Sequence, residues 1–521
     1  MGKATPLKAS YRFWAAAIVL LAFGLRLLDA SHRSLWFDEA IEYLTASTSL
    51  AHLPAAIISL NYQPPLFSFL LHGWLLAGIH PLWLRYLPLI LSLFTLLGMM
   101  QLTRVVASRR AALLAGLITA VLPTDLYYAQ DLGEYSLLVC CLTWSLFFLY
   151  LACDHNRWRD WLLWMLFSLL AVYAHYGAAI VVAPLALLTL GGHGWQRRWT
   201  AVRRQLAVMG LALMVSWPLF VYFLPFQIRR VSETAFAYTL AAPLHEARLL
   251  ASGVADALAY QLIGWPISAV PRWTVSLTLG VAVLLWLWRG RRVEKRPFIW
   301  FLAVYLFYFL LVRQGLYLGF GMRYGLIFTP FFILIAALLL AELWLAKKAV
   351  AAALLGLLLA LSLYATPHPT LSQLFRRAPA WSPTEQMEPV FRYWRQQARP
   401  EQPTFVYYGA VPAFRYYLQY YQMELPAFQP SPYVECTAVL RTPTCQTYNL
   451  FYSRWVRSLT AEEQVADLAQ TMGGAPEQFW LIFAHVHQGE DEALVTLLQS
   501  RYQIEDHFRS HGADVYLFTR K

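Results

Sequence analysis

Two adjacent carboxylates, Asp38 and Glu39, stand in the segment WFDE just after the first apolar stretch of the chain. A carboxylate held beside aromatic side chains can take a proton from a hydroxyl group or bind a divalent cation. The same pair can have a structural role, because acidic side chains stabilise the N-terminus of a helix. Three hypotheses therefore stand for this segment: general base, metal ligand and helix cap.

Other polar residues occur where the chain leaves one apolar segment and enters the next. Asp131 lies in such a turn and is either a second functional acid or a solvated turn residue. Arg323 opens a late apolar segment, and Arg313 lies across the same short turn. These arginines are candidates to neutralise a phosphate, or they are ordinary interfacial residues whose guanidinium reaches the membrane surface. His175 is a candidate ligand or a hydrogen-bonded interfacial histidine.

The elements that must position these residues are apolar. Of the 521 residues, 59% are hydrophobic and 13% are Asp, Glu, Lys or Arg, about half the charged share of roughly 25% in a soluble domain. This composition excludes an ordinary soluble protein and predicts about eleven helices that cross roughly 30 Å of hydrocarbon. The predicted spans are 13–29, 85–103, 111–127, 132–152, 160–175, 177–192, 205–224, 272–289, 297–313, 322–343 and 349–365.

Basic residues are distributed unevenly along the chain. Residues 1–365 contain 28 Lys and Arg against 14 Asp and Glu, whereas residues 366–521 contain 13 against 15. Loops that remain on the cytoplasmic side of a membrane carry such a basic excess. The charge therefore predicts a multi-pass plasma (inner) membrane protein with a cytoplasmic N-terminus. No basic and aromatic stripe accompanies it, so the sequence predicts no nucleic-acid partner.

The apolar segment 64–80 sets the orientation of every later span. It is short and begins with two prolines, and as a helix along the membrane surface it leaves 19 of the 28 basic residues cytoplasmic. As a crossing helix it would turn 16 of those 19 outward, so we predict a juxtamembrane helix. The segments then placed outside the cytoplasm are the first loop 30–84, the turns 124–135, 175–176 and 313–323, the loop 225–270 and the C-terminal region.

The C-terminal region, residues 366–521, has the composition of a small soluble domain. Three strand-like runs and four helix-like runs alternate in it, which predicts an extracytoplasmic α/β domain that follows a transmembrane domain at 1–365. The predicted strands are 404–408, 479–484 and 514–519, and the predicted helices are near 384–398, 411–422, 461–472 and 490–502. Cys436 and Cys445 are close enough in sequence to pair in an oxidising compartment, but spacing alone leaves this disulfide open.

Six short motifs, taken in order, resemble polytopic glycosyltransferases of the GT-C superfamily. This superfamily includes the protein O-mannosyltransferases of glycosyltransferase family 39, the aminoarabinose transferase of lipid A and the RgtA/B/C/D-like transferases. The resemblance extends over residues 13–345 and is specific for the superfamily, but it identifies no substrate. The motifs are WFDE at 36–39, QPPLFSFLLH at 63–72, LRYLP at 84–88, AQDLGEYSLL at 129–138, HY at 175–176 and MRYGLIFTP at 322–330.

The resemblance implies a GT-C fold and a reaction outside the cytoplasm. A sugar carried on a polyprenyl phosphate is transferred with inversion to an acceptor hydroxyl or phosphate on a glycan, lipid or protein. Carried onto this chain, the resemblance makes Asp38 the general base, with Glu39 and Asp131 as further catalytic acids. The leaving phosphate needs a cation, for which Arg323 and then Arg313 are the candidates.

The chain also departs from the family pattern at several positions. Gly133 stands where relatives carry an Arg, and Tyr62 stands where some relatives carry a metal-binding Glu. The resemblance still implies that Gln63, Tyr135, His175 and Tyr176 line the cleft. It implies no certain cofactor, and a divalent metal bound by Asp38, Asp131 or His175 stays an open hypothesis.

Two other functions remain open at this point. One is a transporter or flippase for lipid-linked glycans, which should carry ionisable residues near the middle of its spans. The other is a catalytically degenerate partner subunit, because the family Arg and Glu are absent. The candidate acids and arginines lie near segment ends, which favours a transferase. The sequence contains no Gly-rich phosphate loop and no nucleophile elbow that would indicate a soluble enzyme.

Overall fold

The computed structural model describes residues 6–227, 294–314, 323–365, 370, 385–423, 437–441, 447–453, 460–486 and 489–521. Within this part, every regular element up to residue 365 is helical. Two 3-10 helices, Tyr176–Ala178 and Tyr324–Phe328, lead directly into longer helices. The α-helices are α1 (Pro6–Leu27), α2 (Phe37–Ala46), α3 (Leu53–Leu60), α4 (Leu66–Leu75), α5 (Pro81–Val106), α6 (Arg109–Val121), α7 (Pro123–Tyr128), α8 (Tyr135–His155), α9 (Trp158–Ala174), α10 (Ala179–Trp195), α11 (Trp199–Val215), α12 (Arg296–Arg313), α13 (Thr329–Ala346) and α14 (Lys348–Tyr364).

Six helical stretches among the described residues are long and apolar enough to cross a membrane, and each coincides with a predicted span. They are Ser10–Leu27, Pro81–Val106, Tyr135–His155, Tyr176–Trp195, Trp199–Gln227 and Tyr324–Ala346. Four other predicted spans correspond to α6, α9, α12 and α14, which contain 13, 17, 18 and 17 residues. The predicted span 272–289 lies outside the described residues. The multi-pass helical architecture is confirmed, whereas the number eleven stays a prediction.

The segment 64–80 forms α4, a helix of 10 residues. At a rise of 1.5 Å per residue this helix is roughly 15 Å long, about half the hydrocarbon thickness. Its length agrees with the predicted juxtamembrane helix. The side of the membrane on which it lies stays a prediction.

A buried ion pair holds the first spans together. Arg26 of α1 is fully buried and binds the carboxylate of Asp125 in α7. Ser92 of α5 joins this pair, since its hydroxyl accepts from Arg26 Nε at 2.7 Å and donates to Asp125 Oδ2 at 2.9 Å. The sequence reading did not identify this pair, although a charged residue inside an apolar span requires a buried partner.

The C-terminal region contains a six-stranded mixed sheet. Strand β1 lies in its centre, parallel to β3 on one side and to β4 on the other, and the outer pairs are antiparallel. The strand order is β2-β3-β1-β4-β6-β5. The strands are β1 (Thr404–Val406), β2 (Thr437–Arg441), β3 (Thr447–Tyr452), β4 (Gln478–Ala484), β5 (Tyr502–Ser510) and β6 (Ala513–Arg520), and the helices are α15 (Met387–Gln397), α16 (Val411–Tyr420), α17 (Ala461–Thr471) and α18 (Glu490–Leu498).

The predicted α/β character of this region is confirmed, and three strands were missed. Strands β1, β4 and β6 and all four helices lie where the sequence predicts them, but β2, β3 and β5 do not appear among the predicted strands. Along β5 the exposed and less exposed side chains alternate, and this edge strand carries polar residues on its solvent face. The predicted helix 490–502 ends at Leu498. Cys436 and Cys445 lie outside the described residues.

The chain forms two compact units that no single cut in the sequence separates. The first unit contains Met1–Ala30, Gln63–Phe67 and Arg85–Ser382. The second contains Ser31–Tyr62, Ser68–Leu84 and Pro383–Lys521. Most of the first loop, predicted at 30–84, therefore belongs to the same unit as the C-terminal sheet. The domain boundary predicted at residue 365 stays a prediction.

Candidate active site

The candidate base, Asp38, lies in the first turn of α2. Trp36 is the N-cap of this helix, so Asp38 is its second residue, and it is half-buried. Glu39 is 1% exposed, and its carboxylate accepts the Trp36 N–H at 3.3 Å. Of the two acids, Glu39 is thus the one that caps the helix through its side chain, and Asp38 is the more exposed. Both acids also favour the positive end of the helix dipole.

Residues of the C-terminal region bind the backbone at the start of α2. The Phe37 N–H donates to Glu385 Oε2 at 3.1 Å, and the Leu35 N–H donates to the Tyr417 hydroxyl at 2.8 Å. The other oxygen of Glu385 lies 2.6 Å from Nδ1 of His485. All of these residues belong to the second compact unit. The turn that carries Asp38 is therefore fixed on both sides of Trp36.

The second candidate acid, Asp131, lies in the turn between α7 and α8, within the first compact unit. It is buried, as is Glu134 in the same turn. Nε of Arg85 donates to the Gln130 carbonyl at 3.0 Å, and the Gln130 amide donates to the Leu28 carbonyl at 2.6 Å. The arginine of the LRYLP motif and the glutamine of the AQDLGEYSLL motif thus hold the turn from two sides, which agrees with a structural role for Arg85.

Tyr128 connects Asp131 electrostatically with Arg323. Burial raises the pKa of the Tyr128 hydroxyl well above its usual value, and the charges of Asp131 and Glu134 add to the increase. The positive charge of Arg323 opposes it. Asp131 and Arg323 come from motifs nearly 200 residues apart, and the structure brings them close enough to act on the same hydroxyl group. The sequence reading missed Tyr128, although it directly precedes the AQDLGEYSLL motif.

His175 is buried beside the same group of aromatic rings. Its ring lies 6.0 Å from that of Tyr135, which in turn lies 4.9 Å from that of Tyr128. Nδ1 of His175 accepts the Gly177 N–H at 2.9 Å, and its buried Nε2 has no hydrogen-bond partner among the residues described. A neutral imidazole that accepts at Nδ1 carries its proton at Nε2. This nitrogen is then a hydrogen-bond donor, which does not suit it as a metal ligand.

A glutamine links two of the predicted cleft residues. The Tyr176 hydroxyl donates to Gln227 Oε1 at 2.5 Å, and Gln227 Nε2 donates to the Gln63 carbonyl at 2.7 Å. All three residues belong to the first unit, as do Tyr135 and His175. Gln227 is a contact that the sequence reading missed, since it carries no motif.

Other predicted site residues are only partly described. Arg323 directly precedes the 3-10 helix Tyr324–Phe328, and Arg313 is the last residue of α12, with its side chain outside the described part. Most of the predicted outer loop 225–270 is not described either. Among the described residues, no group of three or more His, Cys, Asp and Glu is arranged to hold a metal ion. A metal bound by Asp38, Asp131 or His175 stays a prediction, and the tautomer of His175 argues against this residue as a ligand.

Known proteins resemble this chain at two levels. Residues 62–223 match the family model described as dolichyl-phosphate-mannose-protein mannosyltransferase. No curated protein matches the sequence at a significant level. Among solved structures, ArnT from Cupriavidus metallidurans bound to undecaprenyl phosphate is 12% identical, with a TM-score of 0.51. That comparison covers 99% of this chain and 98% of ArnT, so the two proteins share one fold over their whole lengths.

Two structures of Archaeoglobus fulgidus oligosaccharyltransferases align less well. The complex with zinc and sulfate is 13% identical at a TM-score of 0.43, and the alignment covers 77% of this chain and 61% of that one. AglB in complex with an inhibitory peptide and a dolichol phosphate is 12% identical at a TM-score of 0.47, with 97% and 74% covered. The chain thus spans less than two thirds of the first of these proteins. Residues 62–223 thus resemble the mannosyltransferase family in sequence, and the chain shares its fold with ArnT.

Proposed function

We propose that the chain transfers a sugar from a polyprenyl phosphate to an acceptor hydroxyl group, with inversion at the anomeric carbon. The observation that carries this proposal is the difference in burial and hydrogen bonding between the two acids of WFDE. Glu39 is buried and caps α2 by accepting the Trp36 N–H, and Glu385 accepts the Phe37 N–H. Asp38 is half-buried. Asp38 is therefore the acid of the pair that suits proton transfer.

The reaction balances as a single displacement. The acceptor oxygen forms a bond to the anomeric carbon while the bond from that carbon to the phosphate oxygen breaks. The acceptor proton moves to Asp38, and the polyprenyl phosphate leaves with the electron pair of the broken bond. Arg323 stabilises the negative charge that develops on the phosphate, and Arg313 is a second candidate for this role. Asp131 and Tyr128, which share the electrostatic environment of Arg323, belong to the same part of the proposed site.

The family-model match and the shared fold support the proposed donor class. The matching family is described by a dolichyl-phosphate-linked mannose, and the ArnT structure that shares the fold is bound to undecaprenyl phosphate. Both are polyprenyl phosphates, so we propose this carrier for the present chain. The sugar is a hexose or a pentose, and the acceptor is a glycan, a lipid or a protein.

A transfer assay on membranes containing the chain, with a panel of polyprenyl-phosphate sugars, tests the proposal. Asp38→Asn should lower the rate about 10²- to 10⁴-fold, the contribution typical of a general base. Glu39→Gln keeps an acceptor oxygen for the Trp36 N–H and should retain far more activity. Full transfer by Asp38→Asn would reject Asp38 as the base. That result would also point to an acceptor that is already ionised, such as a phosphate, for which no proton must be removed.

The two other functions predict different outcomes in the same membranes. Movement of a lipid-linked sugar across the bilayer without transfer would support the transporter hypothesis. Transfer that appears only with a second protein would support a partner subunit. A donor that is consumed by the chain alone, at a rate that depends on Asp38, contradicts both.

We further propose that Asp38 and the C-terminal region face the outside of a plasma membrane. The support is the basic excess of 28 against 14 in residues 1–365, which the positive-inside tendency assigns to cytoplasmic loops. Ala107 is exposed between α5 and α6, in a loop proposed to be cytoplasmic. A cysteine introduced there should react with a membrane-impermeant thiol reagent only after permeabilisation, and labelling of intact cells would reverse the proposed orientation.

A further inference from the structure

Part of the α2 start lies against the carboxyl edge of the C-terminal sheet. Parallel strands β1 and β4 end side by side there, and in α/β sheets this edge is where ligands usually bind. His485 directly follows β4, and its ring stacks on that of Phe37, with centroids 4.3 Å apart and planes 8° from parallel. At this edge, His485 therefore contacts Phe37, the residue that directly precedes the proposed base.

Glu385 is the carboxylate that connects this edge with the backbone of α2. It is 4% exposed, and its two oxygens lie 3.1 Å from the Phe37 nitrogen and 2.6 Å from Nδ1 of His485. A buried carboxylate is stable only when hydrogen-bonded, and each of its oxygens has such a partner here. The contact spans 348 residues in sequence. Glu385 thereby accepts from the Phe37 N–H, one of the first N–H groups of α2, which have no partner within the helix.

His485 fixes the orientation of Glu385 through an unusual backbone conformation. Its φ of 52° lies in the left-handed region, which costs energy for a residue other than glycine. Nearby, a Cβ on Gly409 would lie 2.6 Å from the Ala484 carbonyl oxygen, so β4 and the segment after β1 approach too closely for a side chain. The local backbone is thus held in a form that directs the imidazole toward both Phe37 and Glu385.

We propose that Glu385, oriented by His485, is a positioning residue that holds the first turn of α2 and thereby sets the orientation of the Asp38 carboxylate. The inference rests on the proposed role of Asp38 as general base. It gives the C-terminal region a part in the reaction that no motif assigns to it. Glu385 acts on the backbone of Phe37 and takes no proton from the acceptor itself.

Four variants of the intact chain separate positioning from a general loss of folding. Glu385→Ala removes both contacts, whereas Glu385→Gln keeps an acceptor for the Phe37 N–H. His485→Asn keeps an N–H donor on a residue that tolerates positive φ. Asp514→Asn is the matched control, because Asp514 is also a buried carboxylate of this unit paired with a histidine, His507, at 3.0 Å.

Glu385→Ala should lower kcat for transfer about 10- to 100-fold, as expected for a misplaced catalytic group, with KM for the donor changed less than about twofold. Glu385→Gln and His485→Asn should recover most of this loss, and Asp514→Asn should keep the parent kcat. Hydrogen exchange at the Phe37 amide should accelerate in Glu385→Ala and stay unchanged in Asp514→Asn. Parent-like kcat in Glu385→Ala, or an equal loss in Asp514→Asn, overturns the proposal.

Combination with Asp38→Asn distinguishes this inference from the proposed function. If Glu385 acts through Asp38, the double variant Asp38→Asn/Glu385→Ala should be no slower than Asp38→Asn alone. Multiplied losses in the double variant mean that Glu385 acts by another route, which rejects the inference and leaves Asp38 as the base. Full activity of Asp38→Asn rejects the proposed function itself and, with it, any positioning of Asp38.

Discussion

The two segments that carry the candidate acids are anchored in opposite ways. The turn that contains Asp131 is held by two donor side chains. Arg85 donates to the Gln130 carbonyl, and the amide of Gln130 donates to the carbonyls of Arg26 and Leu28. The start of α2, before Asp38, is held through N–H groups, which donate to Glu385 and to the Tyr417 hydroxyl. Donor side chains thus fix one segment and acceptor side chains fix the other.

The anchors also differ in their distance along the chain. Those of the Asp131 turn lie 45 to 104 residues from the groups they bind and stand in recognisable motifs. Those of α2 lie 348 and 382 residues away, in a region where no motif is apparent. The Asp131 turn is thus supported by residues of two motifs, whereas the Asp38 turn is supported by a distant region of the chain in which no motif is apparent. Substitutions at these anchors test whether the two sets act independently.

The largest effect is expected from the buried ion pair beneath the Asp131 turn. Arg26→Leu leaves the carboxyl group of Asp125, 8% exposed, without its ion-pair partner, which should destabilise the fold by about 3–5 kcal/mol. The Arg26 carbonyl also accepts from the amide of Gln130 at 2.9 Å, so the loss should spread to the Asp131 turn. Thermal unfolding of the purified protein in detergent measures the effect.

The double variant Arg26→Leu/Asp125→Leu is the control for this prediction. Replacement of both charges by apolar side chains removes the unpaired carboxylate and should recover much of the lost stability. A double variant as unstable as Arg26→Leu would show that the guanidinium stabilises the spans mainly through the Ala22 and Thr119 carbonyls, which it also binds. The ion pair would then not be the main support of the turn.

Much of this architecture was predictable from the sequence, because the lengths of the apolar segments and the charges of the loops depend only on which residues stand in each segment. The six described spans and the α/β character of the C-terminal region follow from such patterns. The segment around Asp131 and Arg323 was recognisable from motifs, although their common neighbour Tyr128 was not. Such patterns do not predict pairing between distant residues, such as Arg26 with Asp125 or Phe37 with Glu385. The strands β2, β3 and β5 were missed for a similar reason, since the partner strand decides which short segments become strands.

An intermediate effect is expected at the anchor of the Asp131 turn. Arg85 is 1% exposed, and Arg85→Met removes the donor to the Gln130 carbonyl while it preserves an apolar stem of similar length. A buried acceptor that loses its donor costs about 1–3 kcal/mol. We expect lower transfer activity and faster hydrogen exchange in residues 129–134, with exchange at Phe37 unchanged. Equal acceleration at Phe37 would show that the two segments are coupled, against the independence that their separate anchors suggest.

The smallest effect is expected from Tyr417→Phe, for which the chain supplies a matched control one residue away. Tyr416 and Tyr417 are both fully buried in α16, but the Tyr417 hydroxyl accepts the Leu35 N–H at 2.8 Å whereas the Tyr416 hydroxyl donates to the Ile79 carbonyl at 2.9 Å. Loss of the Tyr417 hydroxyl leaves a buried N–H without this acceptor, at a cost of about 1–2 kcal/mol.

Hydrogen exchange should therefore accelerate at Leu35 in Tyr417→Phe and remain at the parent rate there in Tyr416→Phe. Because Glu385 still holds the Phe37 N–H, the kcat of Tyr417→Phe should fall only a few-fold, less than that of Glu385→Ala. A larger fall in Tyr417→Phe than in Glu385→Ala would move the main anchor of Asp38 from the sheet edge to α16. In that case, the hydrogen bond at Leu35 would determine the orientation of the proposed base more than the bond at Phe37 does, because the rigidity of the whole segment would matter more than the hydrogen bond nearest to Asp38.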